Sequence, residues 1–206
     1  LQDLAFTGAV PENSFIEHDG TARSYGHNAA GLRLAMSHNI HLVGLELYGN
    51  NTGLFIESGS EDVVISASYF HDNGSTAVNA TGNAYSEAIN VTYEYNRFED
   101  TITDAAGFGL MDRSAGLVVR YNWFDGQVVP LQMQGSDEDE ITQDPGYQQA
   151  LVYGNVFFAP TTETTGRVIT YGGERDARRR KRPGTLHLAD DTLTPAPAAP
   201  PDLLML

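Results

Sequence analysis

A hydrophobic pattern of eight residues recurs six times between Ile40 and Leu193. The copies read apolar, any, apolar, two of any type, small or polar, any, apolar, except that the first has Leu45 at the small or polar position. Successive copies start 23, 28, 26, 33 and 36 residues apart. An apolar residue at every second position predicts a β-strand with one buried face, and the polar residue after it predicts a sharp bend. Self-similarity at this period is typical of a solenoid, whose stacked units bury a shared core. The copies are Ile40/Leu42/Leu45/Leu47, Val63/Ile65/Ser68/Phe70, Val91/Tyr93/Asn96/Phe98, Leu117/Val119/Asn122/Phe124, Ala150/Val152/Asn155/Phe157 and Leu186/Leu188/Asp191/Leu193.

The small or polar position of the repeat predicts a hydrogen-bonded ladder at one corner of the solenoid. Neighbouring strands lie ~4.8 Å apart, so residues at equivalent positions of successive coils stand above one another. Stacked amides can satisfy the backbone groups of a buried bend, and asparagine tolerates the left-handed backbone of a tight corner. By the same reasoning, the phenylalanines that close the repeat should form a column. They are Phe70, Phe98, Phe124 and Phe157.

A second apolar pair precedes several copies and predicts another strand in each coil. Leu32/Leu34 stands eight residues before its copy, whereas Leu54/Ile56 and Phe108/Leu110 stand nine residues before theirs. Each coil then has three strands, and the solenoid has a triangular section. Leu4 and Phe6 are expected in the last strand of an incomplete coil.

Two segments resemble a known type of repeat. Gly53-Leu-Phe-Ile-Glu57 through Asp62-Val-Val-Ile65 to Phe70-His-Asp-Asn73, and Gly116 through Phe124, resemble the repeats of right-handed parallel β-helix proteins of the pectate-lyase-like superfamily. The resemblance covers residues 31–193. It implies an all-β, right-handed, single-stranded parallel β-helix with three strands per coil, about six coils and incomplete ends. That superfamily includes lyases, hydrolases, epimerases, phage tailspikes and adhesins, so the fold does not fix the function.

The predicted solenoid is a single domain over residues 1–193. A basic inserted loop occupies 174–184, and the Pro/Ala-rich segment 194–206 is predicted to be a disordered tail. The chain begins without methionine and has no signal-peptide pattern, so we interpret it as a fragment of a longer protein. No apolar run approaches the length of a membrane span.

The charge of the chain excludes one class of partner. The net charge is −15, and residues 1–173 hold 22 acidic and 6 basic side chains. A phosphate backbone requires a basic surface, so nucleic acid is not expected as a partner. A polyanionic ligand is also disfavoured unless cations mediate the contact. The chain has no cysteine, which removes disulfides and thiol metal sites.

The resemblance places a ligand groove along the first strand of each coil, and alternation predicts which side chains line it. Amides, a guanidinium, a carboxylate and rings suit sugars, whose hydroxyls accept and donate hydrogen bonds and whose C–H faces stack on rings. The predicted outward residues are Arg33, Phe55, Glu57, Asn79, Met111, Gln132, Gln134, Ile169 and Tyr171, and the inward ones are Leu32, Leu34, Ile56, Val78, Leu110 and Met133. Of the outward set, Arg33, Phe55, Asn79, Gln132, Gln134 and Tyr171 are the predicted substrate-binding residues.

Candidate catalytic residues lie where the first strand turns. A polysaccharide lyase needs a base beside the carbon next to a carboxylate, and a cation that neutralises that carboxylate. Arg113, Asp112 and Glu57 are the residues that could supply these groups. A simpler interpretation is that Arg113 only pairs with a neighbouring aspartate on the turn.

Two long insertions are predicted at the same corner of adjacent coils. One contains Asp137-Glu-Asp-Glu140, and the other contains Arg178-Arg-Arg-Lys-Arg182. We expect these acidic and basic loops to protrude side by side and to attract each other weakly. Asp137, Asp139 and Glu140 are a candidate Ca²⁺ site, although calcium needs six to eight oxygens and four consecutive acids are more often a solvated loop.

The sequence therefore favours an extracytoplasmic carbohydrate-active protein, secreted, periplasmic or on the cell surface. Its first-strand face would bind a polysaccharide, and lyase-type elimination is the reaction considered. The alternative is a non-catalytic surface or adhesion module in which the same face only binds a glycan.

Overall fold

The computed structural model describes residues 1–26, 28–75, 81–102, 107–158, 167–173 and 181–194, together with the backbone of 202–205. This part of the chain is mostly β-strand, and its helices are the short α-helix Asp139–Thr142 and the 3₁₀-helix Pro145–Gln148. Among the described residues no helix has the length and apolar character needed to cross a membrane.

Three parallel sheets wind around one axis, and the chain visits them in turn. The first sheet contains Ala30–Leu34, Thr52–Ile56, Gly82–Ser86, Phe108–Asp112, Val129–Met133, Arg167–Tyr171 and Asp202–Met205. The second contains His38–Val43, Glu61–Ser66, Ile89–Glu94, Leu117–Arg120, Gln149–Tyr153 and Thr185–Ala189. The third contains Ala5–Thr7, Glu46–Tyr48, Tyr69–His71, Arg97–Phe98, Trp123–Phe124, Val156–Phe158 and Thr192–Thr194. The predicted three-stranded parallel coil is confirmed.

The ends of the chain add to this arrangement. Ala5–Thr7 pairs with Glu46–Tyr48, as expected for the last strand of a coil. An antiparallel hairpin of Ser14–Ile16 and Ala22–Ser24 follows it. Asp202–Met205 lies in the segment predicted to be disordered, but its backbone pairs with Arg167–Tyr171.

A column of aromatic rings runs through the core, as the repeat predicts. The ring centroids of Phe70 and Phe98 lie 4.8 Å apart, those of Phe98 and Phe124 4.7 Å, and those of Phe124 and Phe157 4.8 Å. All four side chains are fully buried. Parallel pairing holds each phenylalanine one strand spacing from the next, so the rings stack without any local adjustment.

The predicted polar ladder lies at the corner between the second and third sheets. The backbone N–H of Asn96 donates to Oδ1 of Asn122 at 2.9 Å, and that of Asn122 donates to Oδ1 of Asn155 at 2.9 Å. Nδ2 of Asn122 donates to the carbonyl oxygen of Tyr93 at 2.9 Å. Ser68 begins the ladder and Asp191 ends it. Each amide satisfies a backbone group that would otherwise be buried without a partner.

One prediction of register in the first sheet is wrong, and another falls on residues outside the described ranges. The third strand of this sheet is Gly82–Ser86, whereas the sequence favoured Val78 and Asn79, which lie outside the described residues. Ile169 and Tyr171 pair with Leu131 and Met133 and therefore face inward, not outward. The apolar run Val168-Ile169 is buried at both residues, so alternation could not distinguish its two faces.

The acidic insertion does not protrude as a whole. Its helices fold back along the corner between the first and second sheets, where Ile141 and Tyr147 pack against Ala115. Residues 137–140 are exposed, and so are Gln143, Pro145 and Gln148. Of the basic insertion, 174–180 lie outside the described residues, and Arg182 is buried, not exposed as expected.

We predict that Asn122→Ala destabilises the fold by on the order of 3 kcal/mol. The change leaves the backbone N–H of Asn96 and the carbonyl oxygen of Tyr93 without their partners inside the corner. The free energy of unfolding, from urea denaturation followed by circular dichroism, measures this. Asn28→Ala, at an exposed position, is the control, and equal losses in the two variants would contradict the role of the ladder.

We predict that Asp191→Asn stabilises the protein at neutral pH. Burial raises the pKa of Asp191, and hydrogen bonds from Asn155 only partly oppose this effect. A carboxyl whose pKa is raised on folding loses stability as the pH rises from its unfolded value through its folded pKa. The gain should therefore be present at neutral pH and shrink below the ordinary aspartate value of 3.8.

Urea unfolding of the wild type and the variant at neutral pH and at pH ~3 measures this difference. The exposed Asp137, changed to asparagine, removes one carboxylate far from the ladder and is the control. A variant that is less stable than the wild type at neutral pH would show that the ladder needs the carboxylate.

Candidate functional site

The exterior of the first sheet forms a continuous column of side chains, one from each coil. We call it the first-sheet face, and it consists of Arg33, Phe55, Tyr85, Met111, Gln132 and Thr170, whose strands pair in register. Beside it, where the strands end, lies an end column of Glu57, Glu87, Arg113 and Gln134, which is held by backbone hydrogen bonds between successive coils. Both columns run along the axis, so their accessible members can contact a linear ligand over several coils.

An aromatic pair occupies the middle of the first-sheet face. The rings of Phe55 and Tyr85 stack with centroids 4.5 Å apart and planes inclined by 23°. The guanidinium of Arg33 lies 4.7 Å from the centre of the Phe55 ring and forms an ion pair with Glu57. Phe55, Tyr85 and Glu57 are half-buried and Arg33 is exposed, so this part of the face is open to a ligand.

Amides and a guanidinium form the other end of the site. Nη2 of Arg113 donates to Oε1 of Gln134 at 2.8 Å, and Nη1 donates to the carbonyl oxygen of Gly135 at 3.3 Å. Nε2 of Gln134 in turn donates to Oε1 of Gln132 at 3.1 Å. Arg113 and Gln134 are buried, whereas Gln132 is half-buried. Gln132 is thus the amide that a ligand on the face can reach.

Glu87 links the face to the acidic insertion. Its carboxylate accepts hydrogen bonds from the hydroxyl of Tyr85 at 2.7 Å and from Oγ of Ser136 at 2.6 Å. Burial, followed by the charge of Glu87, raises the pKa of Tyr85 above its ordinary value. The tyrosine hydroxyl therefore stays protonated and fixes the orientation of the ring.

Asp112 points into the molecule, although it precedes Arg113 directly. It has no exposed surface. Oδ1 accepts from the hydroxyl of Ser86 at 2.7 Å, and Oδ2 accepts from the backbone N–H of Ser114 at 3.0 Å and from Nη1 of Arg182 at 3.0 Å. Its hydrogen-bonding capacity is used within the fold.

Arg182 closes this buried cluster from the basic insertion. Its side chain is fully buried, and its guanidinium lies 5.2 Å from the ring centre of Tyr147 and 5.8 Å from that of Tyr171. The hydroxyl of Tyr171 donates to the carbonyl oxygen of Pro183 at 2.8 Å. Arg182 therefore connects the basic insertion with Asp112 of an earlier coil and with Tyr147 of the acidic insertion. Tyr171 packs against its guanidinium from inside the helix.

The structure thus separates the predicted site residues. Arg33, Phe55, Glu57 and Gln132 lie together on the first-sheet face and end column. Arg113 and Gln134 lie beside them but are buried. The interpretation of Asp112 as a substrate-facing group and of Tyr171 as a sugar contact is wrong, because both side chains are directed inward. Asn79 lies outside the described residues.

The candidate calcium residues do not converge. Asp137, Asp139 and Glu140 are exposed, and Oε1 of Glu140 accepts from the backbone N–H of Gly59 at 2.6 Å. Within the described ranges, no three histidine or carboxylate side chains are grouped so that they could hold a metal ion.

Sequence reasoning missed Tyr85, Glu87, Ser136 and Arg182. The strand that carries Tyr85 has the small inward residues Ala84 and Ser86, so its hydrophobic pattern is weaker than that of 76–80. A weak but usable signal was the apolar pair Ile141 and Tyr147 inside a polar loop, which indicated that the insertion packs against the body. No pattern distinguished Arg182 from the other basic residues before it.

Comparison with protein families gives a match to a right-handed β-helix region over residues 8–124. This match covers more than half of the chain. The chain belongs to the right-handed β-helix family. The predicted fold class and resemblance are therefore confirmed. No curated protein and no solved structure matches this right-handed β-helix chain.

We predict that Asp112→Asn costs about 3–5 kcal/mol of stability, because it leaves the charge of Arg182 buried without its counter-ion. Arg182→Met should also destabilise the fold, since it leaves the carboxylate of Asp112 buried. The double variant should lose less than the sum of the two single losses. Urea denaturation gives the three free energies of unfolding.

The exposed pair of Arg33 and Glu57 provides the control. Glu57→Gln should cost less than about 1 kcal/mol, because water solvates both partners. Strictly additive losses in the Asp112 and Arg182 variants would contradict a coupled buried pair.

Proposed function

We propose that this β-helix binds a polysaccharide along its first-sheet face, without cleaving it. The observation that carries the proposal is the stacked pair of Phe55 and Tyr85 on an accessible strip, with Arg33 and Glu57 on one side and Gln132 on the other. The strip follows the helix axis, so consecutive sugars of one chain would contact consecutive coils.

The chemistry of the strip supports a glycan over other ligands. Sugar rings present C–H faces that stack on aromatic rings, while their hydroxyls exchange hydrogen bonds with amides and carboxylates. The charge of Arg33 is already matched by Glu57, and the chain carries a net charge of −15. A neutral or weakly charged polysaccharide therefore fits better than a densely anionic one.

The burial of the candidate catalytic residues favours binding over elimination. A lyase base must lie within hydrogen-bonding reach of the proton that it removes. Asp112 is enclosed and paired with Arg182, and Arg113 donates to Gln134 and Gly135. Of the three candidates only Glu57 is accessible from the first-sheet face. Met111 and Gln132, which lie on the first-sheet face, are both uncharged.

An extracytoplasmic location follows from the proposed ligand, because structural polysaccharides lie outside the cytoplasm. The absence of cysteine from the sequence is compatible with such a location, since the hydrogen-bond ladders between coils replace disulfides as the cross-links of the fold.

We predict that the protein binds xylan or galactomannan more tightly than the densely anionic alginate or polygalacturonate, and that Phe55→Ala weakens this tighter binding at least tenfold. Loss of the ring removes about 1.5–3 kcal/mol of buried apolar contact, which corresponds to that factor or more. Affinity electrophoresis and isothermal titration calorimetry measure the dissociation constant. Leu151→Ala, which truncates an exposed apolar side chain on the second sheet, should leave it unchanged.

Alginate and polygalacturonate, whose uronic acids can undergo elimination, test for lyase activity. Each is incubated with the protein, with and without Ca²⁺, while the absorbance of unsaturated products is followed. The proposal predicts no change in absorbance. An increase that Arg113→Ala or Glu57→Gln abolishes would show instead that the protein is a lyase. Absence of binding to every polymer would contradict the proposal.

A further inference from the structure

A second exposed aromatic group lies at the corner between the second and third sheets. Tyr95 and Tyr121 occupy equivalent positions in adjacent coils, and their rings stack with centroids 5.2 Å apart and planes inclined by 21°. Tyr95 is 61% exposed and Tyr121 46% exposed. We call these two residues the corner stack. It lies on a different part of the coil from the first-sheet face.

The backbone at this corner is costly for a tyrosine. Tyr95 has a φ of 56° and Tyr121 a φ of 58°, and this left-handed region suits glycine while it strains a bulky residue. Two other coils have Gly44 and Gly154 at the equivalent position, with φ of 64° and 68°. The tyrosines therefore occupy positions that glycine fits better, and their exposed rings add little to the core. Such strain at an exposed aromatic side chain points to a role in binding.

The corner stack has one open aromatic face. Tyr121 lies directly against Gly154, because a Cβ at that glycine would be 2.6 Å from the Tyr121 ring. The ring of Tyr153 covers a further edge at 5.5 Å. Tyr95 covers the other side of Tyr121, so the open face of the stack is that of Tyr95. It is directed toward the preceding coil.

Ala67 stands at the equivalent position of that preceding coil. Its backbone N–H donates to the carbonyl oxygen of Glu94, which continues the pattern that Tyr95 and Tyr121 make with the coils after them. Ala67 is exposed, and its single methyl group leaves the ring of Tyr95 uncovered. Ser66 and Glu94, the residues directly before Ala67 and Tyr95, pair in register on adjacent strands.

The charged residues around the corner stack favour a neutral ligand over an anionic one. Arg120 donates through Nε to Glu94 at 2.8 Å and through Nη1 to the hydroxyl of Tyr153 at 3.0 Å. Arg97 forms an ion pair with Glu99. Arg120 directly precedes Tyr121 and Arg97 follows Tyr95 by two residues, and both are already matched by carboxylates, so an anionic ligand would gain little here. A neutral ring with hydroxyl groups at its edge and C–H bonds on its face satisfies both the aromatic surface and its polar border.

We propose that the corner stack is a binding site for a neutral glycan, whose pyranose ring lies on Tyr95 above Ala67. This inference does not rest on the function proposed for the first-sheet face, because it involves different residues on a different corner. The sugar ring would extend the column of Tyr121 and Tyr95 by one member.

Titration calorimetry with cellohexaose, xylohexaose, mannohexaose and laminarihexaose tests this site. At least one hexaose should bind, and Tyr95→Gly should weaken that binding at least tenfold without lowering the melting temperature, since glycine suits a φ of 56°. Ala67→Tyr should abolish binding while keeping both tyrosines, because its ring takes the place of the sugar.

Met36→Gly is the matched control. Met36 is also exposed and has a φ of 47°, but it lies at another corner, so its replacement should leave the affinity unchanged. Phe55→Ala distinguishes the two proposed sites, since it should not affect binding that depends on Tyr95. The inference is wrong if none of the four hexaoses binds, or if binding is the same in Tyr95→Gly and the wild type.

Discussion

Parallel hydrogen bonding between successive coils is the constraint on which the rest of the structure depends. It holds equivalent residues one strand spacing apart, so a side chain in one coil packs directly against the side chain at the same position of the next coil. Inside, this rule produces the stack of four phenylalanines and the ladder from Ser68 to Asp191. Outside, it produces columns that a ligand can follow. The core and the candidate binding surfaces are therefore two consequences of one register.

Alternation along a strand determines which side of the sheet each side chain lies on, and Asp112 and Arg113 show this most clearly. One residue apart, they point to opposite sides of the first sheet, so they cannot act together on a substrate. A carboxylate on the inner side needs a cation inside the fold, and Arg182 provides it from an insertion two coils later. The insertions thus contribute to the core of the corner as well as to its surface. Their burial removes the residues that looked most chemically active in the sequence.

Much of the fold could be predicted from the sequence because apolar residues recur at every second position of the repeat. The phenylalanine column and the asparagine ladder follow from that period alone. The third strand of the first sheet could not be found in this way, since Ala84 and Ser86 are inward residues with little hydrophobic signal, while Val78 offered a stronger one. Tyr171 was placed on the wrong face because Val168 and Ile169 are both apolar. The candidate site was predicted in part. Arg33, Phe55, Glu57 and Gln132 came from alternation, whereas Glu87 and Arg182 depend on contacts made by long insertions, which no local pattern encodes.

The two surfaces proposed for glycans differ in how the fold supports them. On the first-sheet face, the side chains stand on extended backbone and support one another, as the Arg33, Phe55 and Tyr85 contacts show. At the corner, Tyr95 and Tyr121 stand on left-handed backbone, where the ladder of Asn96 and Asn122 directly after them fixes the bend. The strain is tolerated because the amide ladder, not the corner residue, determines the path of the chain. A β-helix can therefore change the exposed residue at such a corner from coil to coil, from glycine to alanine to tyrosine, while the core beneath it stays the same. Binding surfaces can arise at these positions with little effect on the columns that stabilise the fold.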